Sequence, residues 1–228
     1  MLGTRASEML PPMAAARSGC GAGVGPDGCL YVVGGSDDGC AMLSSCERYD
    51  PRAGAWQAMQ DLPQSRGYLS ASFGPDGCLY VAGGADSDAL QVFDGAAWSL
   101  RARLPARRFG AASAACDGKL MLIGGRVPDA AGEGAQDTAT VLLYDPARDR
   151  WEPGAPLPAP RFQCRALEHG GEIVVVGGSE GEPPCAYRDG AWRPWNWPSV
   201  PRASGTSCDD DTPNRYVYAP SMGSIALG

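Results

Sequence analysis

The chain has 228 residues, of which 44% are hydrophobic, and its 19 Lys and Arg against 26 Asp and Glu give a formal charge of −7. That apolar content excludes a disordered chain, and the acidic balance argues against nucleic acid or an anionic membrane as a partner. No run nears the roughly 18 apolar residues of a membrane helix, while 32 glycines and 20 prolines point to short strands joined by many turns.

In chain order, Thr4-Arg5-Ala6-Ser7 and then Met9-Leu10-Pro11-Pro12-Met13 read as a strand feeding the first of several repeats. Met1 to Arg17 contains no apolar stretch of the kind a secretory signal needs. The first repeat opens on Arg17 and the small residues Ser18-Gly19-Cys20-Gly21-Ala22, which predict a first strand. A Pro26-Asp27-Gly28 turn leads to a second strand, Leu30-Tyr31-Val32-Val33, closed by Gly34-Gly35. Tyr49 then marks a third strand and Trp56 a fourth, joined by Asp50-Pro51-Arg52-Ala53-Gly54-Ala55.

Leu62-Pro63 and Arg66 begin the cycle again, through Leu79-Tyr80-Val81-Ala82-Gly83-Gly84 to Phe93 and Trp98 across an Asp94-Gly95 hairpin. Leu104-Pro105 and Arg108 open a third turn of it, with Gly110-Ala111-Ala112-Ser113-Ala114, Leu120-Met121-Leu122-Ile123-Gly124-Gly125, Tyr144 and Trp151. Leu157-Pro158 and Arg161 open a fourth, with Ile173-Val174-Val175-Val176-Gly177-Gly178, Tyr187 and Trp192. Beyond Pro201-Arg202, the run Arg215-Tyr216-Val217-Tyr218 resembles a second strand, but Ala219-Pro220 replaces the glycine pair.

The second glycines of the pairs, Gly35, Gly84, Gly125 and Gly178, recur at intervals of 49, 41 and 53 residues, with the arginine, aromatic and tryptophan always in the same phase. On these motifs the sequence resembles the Kelch-repeat family, whose unit is one four-stranded blade of a β-propeller. The resemblance covers nearly the whole chain. It implies an all-β propeller in one domain, with repeats over 13–61, 62–103, 104–156 and 157–200. A degenerate fifth is expected from 201–228 together with 1–12, the two ends closing the circle.

The resemblance also places the loops between second and third strands on one face, with the links between blades. These loops hold Asp37 and Asp38; Asp86 and Asp88; Asp129, Glu133 and Asp137; Glu180 and Glu182; the sole base among them is Arg126. The excess of acids predicts a face that attracts a basic peptide or protein segment. Arg107 and Arg126 fall outside the repeat and are read as ligand candidates. Arg17, Arg66, Arg108, Arg161 and Arg202 recur in every blade, and are read first as structural, with ligand contact as the alternative.

The repeat tryptophans are read as blade core, while Trp195 and Trp197 lie outside the pattern. Nine cysteines with no Cys-x-x-Cys pair predict reduced thiols in a cytoplasmic protein; Cys40 with Cys46 is the one disulfide entertained. The single histidine, His169, is read as a solvated turn residue. No phosphate loop, zinc spacing or nucleophile elbow is found, so no catalytic residue, metal or cofactor is expected. The reading is a monomeric, non-catalytic scaffold or adaptor that binds protein or peptide through its loop face. The alternative is a propeller enzyme or metal-dependent specifier acting on a sugar or small molecule, as the resemblance allows.

Overall fold

The computed structural model describes residues 9–129, 134–179 and 182–195. Within them the chain forms four antiparallel sheets, each of four strands in sequence order from inside to outside. The first blade comprises β1 (Gly21–Val24), β2 (Leu30–Val33), β3 (Cys46–Asp50) and β4 (Ala55–Ala58). The second comprises β5 (Ser70–Phe73), β6 (Leu79–Ala82), β7 (Leu90–Phe93) and β8 (Trp98–Arg101). The third is built from β9 (Ala112–Cys116), β10 (Lys119–Ile123), β13 (Val141–Asp145) and β14 (Arg150–Pro153). A separate ribbon, β11 (Arg126–Pro128) with β12 (Ala135–Asp137), grows out of its central loop. The fourth is β15 (Cys164–His169), β16 (Glu172–Gly177), β17 (Cys185–Arg188) and β18 (Ala191–Pro194). This is a four-bladed all-β propeller arrangement. The expected fifth blade falls outside the described residues, apart from Met9 to Pro12.

The second strand of each blade is apolar on both faces because both faces are buried between blades. Leu79 and Val81 pack toward the first blade with Val33 and Leu69. Their neighbours Tyr80 and Ala82 pack toward the third blade with Leu120 and Leu122. Met121 and Ile123 continue the alternation into the fourth blade, against Ile173 and Val175. Innermost strands β1, β5, β9 and β15 follow one another around the axis. There Gly21 lies so close to Leu69 and Ala71 that any side chain would displace them, which is why these strands are written in small residues.

The first strands begin later than the run of small residues suggests, at Gly21 rather than Ser18 and at Ala112 rather than Gly110. The cause is a left-handed residue two places after each repeat arginine: Gly19, Tyr68, Gly110 and Gln163 have φ of 59°, 55°, 60° and 58°. A strand cannot pass through that conformation. These four residues instead link blade to blade. Tyr68 N–H donates to the Gly19 carbonyl at 2.6 Å, Gly110 N–H to that of Tyr68 at 2.8 Å, and Gln163 N–H to that of Gly110 at 2.8 Å.

Candidate functional site at the loop face

Each repeat arginine is buried and turned into its own blade. Arg17 Nη1 donates to the carbonyls of Gly34 and Ser45, Arg66 Nη1 to those of Gly83 and Ala89, and Arg108 Nη1 to those of Gly124 and Thr140. Arg161 does the same with Gly177 and Pro183. In each case the guanidinium joins the end of the second strand to the start of the third. These four guanidiniums bond within their own blades, and each residue is exposed by 9% or less. Arg202 lies outside the described residues. Burial pulls the Arg66 and Arg108 guanidiniums down to about 10, which leaves both charged at neutral pH.

The backbone of the same arginines fastens neighbouring blades. Gly35 N–H donates to the Arg66 carbonyl, Gly84 N–H to that of Arg108, and Gly125 N–H to that of Arg161. The connecting straps also pair with the loop of the blade they leave: Leu62 N–H reaches the Ser44 carbonyl, Leu104 N–H that of Asp88, and Leu157 N–H that of Ala139, each at 2.8 Å. Straps and central loops thus bond to one another on the same side of the described blades.

The tryptophans occupy the expected outer strands and stack on the repeat aromatics at centroid separations of 5.1–5.2 Å. Each of the four repeat indole N–H groups donates to a strap carbonyl: Trp98 to Gln60, Trp151 to Ala102, Trp192 to Ala155, and Trp56 to Pro11. Pro11 thereby takes the place of a strap leaving a preceding blade.

The acidic loop residues are less available than their number implies. Asp37 Oδ1 accepts from the N–H groups of Gly39 and Ala41 and shapes its own loop. Asp88 pairs with Arg103 at 2.5 Å, and Asp86, 97% exposed at its side chain, has Arg107 at 4.0 Å. Asp137 Oδ1 accepts from Arg126 Nε and its Oδ2 from the Ser179 hydroxyl, both at 2.6 Å, and these partners hold its carboxyl below the usual range. Arg103 and Arg107 come from a strap, so a count of loop residues alone misses them. Asp38 is exposed, Asp129 is engaged within the structure, and Glu182 is half-buried with its carbonyl near Arg161 Nη1. Glu133 and Glu180 fall outside the described residues. On this face Arg107 is exposed, and Arg126 is committed to Asp137 and to the Phe162 ring, 4.3 Å from its guanidinium.

Four residues that sequence reasoning passed over lie at the strap ends or over them: Phe109 and Phe162, and Tyr68 and Met42. Phe109 and Phe162 meet edge to face at 5.6 Å, and Phe109 exchanges two backbone hydrogen bonds with Arg126. The Phe162 ring occupies the place a side chain on Gly110 would need, so glycine is required there for space as well as for φ. Tyr68 is 39% exposed with its ring over Gly19, and Met42, 41% exposed, reaches over Gly67. The available signal was register: Tyr68 and Gln163 stand two residues after the repeat arginine, where the other two blades carry glycine.

His169 is the last residue of β15 rather than a turn residue, and its ring meets Trp195 edge to face at 5.6 Å. Trp195 also donates its backbone N–H to the Pro184 carbonyl, while its indole nitrogen is buried without a hydrogen-bond partner among the described residues; Trp197 falls outside the described residues. Cys40 and Cys46 are both free thiols, the first exposed and the second buried.

Comparison with known proteins agrees with this architecture. The Kelch motif model matches residues 16–63 and 107–158. Kelch-like protein 35 of Mus musculus is 32% identical over 159 residues, covering 67% of this chain and 26% of that protein. Kelch-like protein 23 of Mus musculus is 29% identical over 180 residues, covering 75% and 30% respectively. The chain thus spans under a third of the length of these relatives. A solved structure described as "Structure of YjhT" superposes with a TM-score of 0.65 at 15% identity, over 81% of this chain and 70% of that one, which bears on the fold alone. Four blades sharing one arginine clip, one glycine pair and one indole bond, together with these matches, place the chain in the Kelch-repeat β-propeller family.

Proposed function

We propose that the chain is a protein-binding module, acting as a scaffold or adaptor through the loop face of its propeller. The observation that carries this reading is a rigid face with unspent contact groups. Buried arginines and interblade hydrogen bonds hold the straps and loops, while Met42, Tyr68, Asp86 and Arg107 project from them into solvent. Exposed apolar and charged groups on firmly held loops are what a recognition surface requires. Propellers of this family commonly carry protein-interaction surfaces, which favours the same reading, although fold by itself does not assign function.

The test is affinity capture from native lysate with mass spectrometry, using three forms of the chain. One is wild type, one reverses loop-face charges (Asp38→Arg with Asp86→Arg), and one changes the opposite, turn-bearing face (Arg52→Glu with Ala147→Glu). A protein retained by wild type and the turn-face variant but lost by the loop-face variant supports the proposal. Loss only in the turn-face variant, or no retained protein with any form, counts against it.

A further inference from the structure

Nη2 of the repeat arginine meets an acceptor in three of the four described blades. Arg17 Nη2 donates to Ser45 Oγ at 3.1 Å and to Glu47 Oε1 at 2.7 Å, Arg108 Nη2 to Thr140 Oγ1 at 2.6 Å, and Arg161 Nη2 to the Pro183 carbonyl. Arg66 is the exception. Its Nε and Nη2 are both buried without a hydrogen-bond partner among the described residues, and so is the Gln91 carboxamide oxygen. Both residues are 2% exposed. Nε is unpartnered in all four arginines. What sets Arg66 apart is that its whole Nε–Nη2 edge, the fork with which arginine grips an anion, is open inside the protein.

Differences between the repeats produce this fork. Four residues before the repeat aromatic, blades one and three carry a hydroxyl (Ser45, Thr140), whereas blade two carries only the methyl of Ala89. Two residues before the aromatic, Glu47 of blade one gives way to the uncharged Gln91. Ala14, whose N–H holds Glu47 Oε2 at 2.8 Å, corresponds to Pro63, which has no N–H to offer Gln91. The strand has not closed in to compensate. The Ala89 carbonyl stands 3.3 Å from Arg66 Nη1, against 2.8 Å for Ser45 from Arg17 and 2.9 Å for Thr140 from Arg108. Room that a hydroxyl fills in two other blades is thus left beside a guanidinium on which burial alone acts, with no carboxylate contributing. A water there would accept the fork's hydrogen bonds, but only an anion also offsets the buried charge. Turning the Gln91 carboxamide adds a further N–H donor and costs its oxygen no hydrogen bond. Space of this size suits a single-atom anion and not a phosphate or a carboxylate.

We propose that blade two binds one small monovalent anion, of the chloride class, between the Nε–Nη2 edge of Arg66 and the Gln91 carboxamide, where blade one uses the Glu47 carboxylate. The site is internal and independent of partner binding. It ties the strap bearing Arg66 to β7 and makes the stability of the chain depend on halide. The experiment is urea denaturation of the full chain at fixed ionic strength, with sodium chloride replacing sodium gluconate. One site with a Kd of about 10 mM lowers the unfolding equilibrium constant about tenfold between about 1 and about 100 mM chloride. Gln91→Glu supplies a carboxylate and Ala89→Ser a hydroxyl, and each should cut this response to about twofold or less. Bromide-soaked crystals of wild type should show an anomalous peak beside Arg66 Nε and Nη2. A wild type indifferent to chloride overturns the proposal. So does an equal chloride response in both variants, which would place the effect elsewhere on the chain. Should either variant fail to fold, the other variant and the bromide crystals decide: density at the fork with no anomalous signal is a water, and overturns the proposal.

Discussion

The carbonyl oxygen of Arg161 lies 2.6 Å from the point where a Cβ on Gly124 would stand, and it also accepts the Gly125 N–H at 2.6 Å. One oxygen therefore fastens the fourth blade to the third and excludes every side chain from the first glycine of the pair.

Gly124 and Gly177 separate these two effects. Their φ values are 62° and 67°, so alanine is strained equally at both, but no described residue lies within 4 Å of a Cβ on Gly177. Gly177→Ala should cost about 1–2 kcal/mol from conformation alone. Gly124→Ala should cost at least about 1–2 kcal/mol more, because the Arg161 backbone must move. Urea denaturation of the two variants measures the difference; equal losses would mean that the blades have slack at this seam.

Arg17 and Arg66 differ in one partner. Arg17 Nη2 donates to Glu47 at 2.7 Å, whereas the residue two places before the repeat aromatic in the second blade is Gln91. Arg66 Nε and Nη2 and Gln91 Oε1 are buried without hydrogen-bond partners. Gln91→Glu should raise stability by about 1 kcal/mol at neutral pH, since the guanidinium is already buried and charged. Glu47→Gln should lower stability. The opposite order in guanidine titrations would show that carboxylate desolvation outweighs the pairing.

Asp149 couples the third blade to the strap leaving the second, accepting the Tyr144 hydroxyl at 2.6 Å and the Ala102 N–H at 2.8 Å. These donors, the hydroxyl first, hold its carboxyl below the usual value. A depressed folded-state value means the contribution is complete above the unfolded value near 3.9 and fades as pH falls through the folded one. Asp149→Asn, which keeps a residue that tolerates the φ of 49° at this position, should therefore cost about 1 kcal/mol at pH 7. That gap from wild type should narrow only in the acid limb of a stability–pH curve.

Trp56 depends on Pro11 for the bond its counterparts make to straps. Deleting residues 1–12 should lower the melting temperature by several degrees and shift Trp56 emission to the red. A variant with Trp56→Phe should then show a much smaller further loss on the same deletion. Unchanged melting after the deletion would show that this N-terminal segment does not support the first blade.

Residues that act inside one repeat were legible, because each carries a local chemical signature. Gly34-Gly35 must turn with positive φ, and Tyr49 must meet Trp56 across a hairpin. The first-strand boundaries were not. The need for a left-handed residue at Tyr68 comes from the Gly19 carbonyl in another blade, and no property of tyrosine announces it. The partners of the loop charges were not legible for a related reason. Asp88 meets Arg103, and Asp137 meets Ser179, across 15 and 42 residues, separations that no repeat pattern encodes.

Sequence alone determined the blade count over the described residues and the strand carrying each aromatic. Periodic burial and turn chemistry are local, and they repeat. Tertiary structure alone decided which charges are paired, where the backbone is strained, and that Gly19, Tyr68, Gly110 and Gln163 bond to one another from blade to blade. Those properties arise where blades meet, so they depend on the position of one repeat against the next and not on the residues within either.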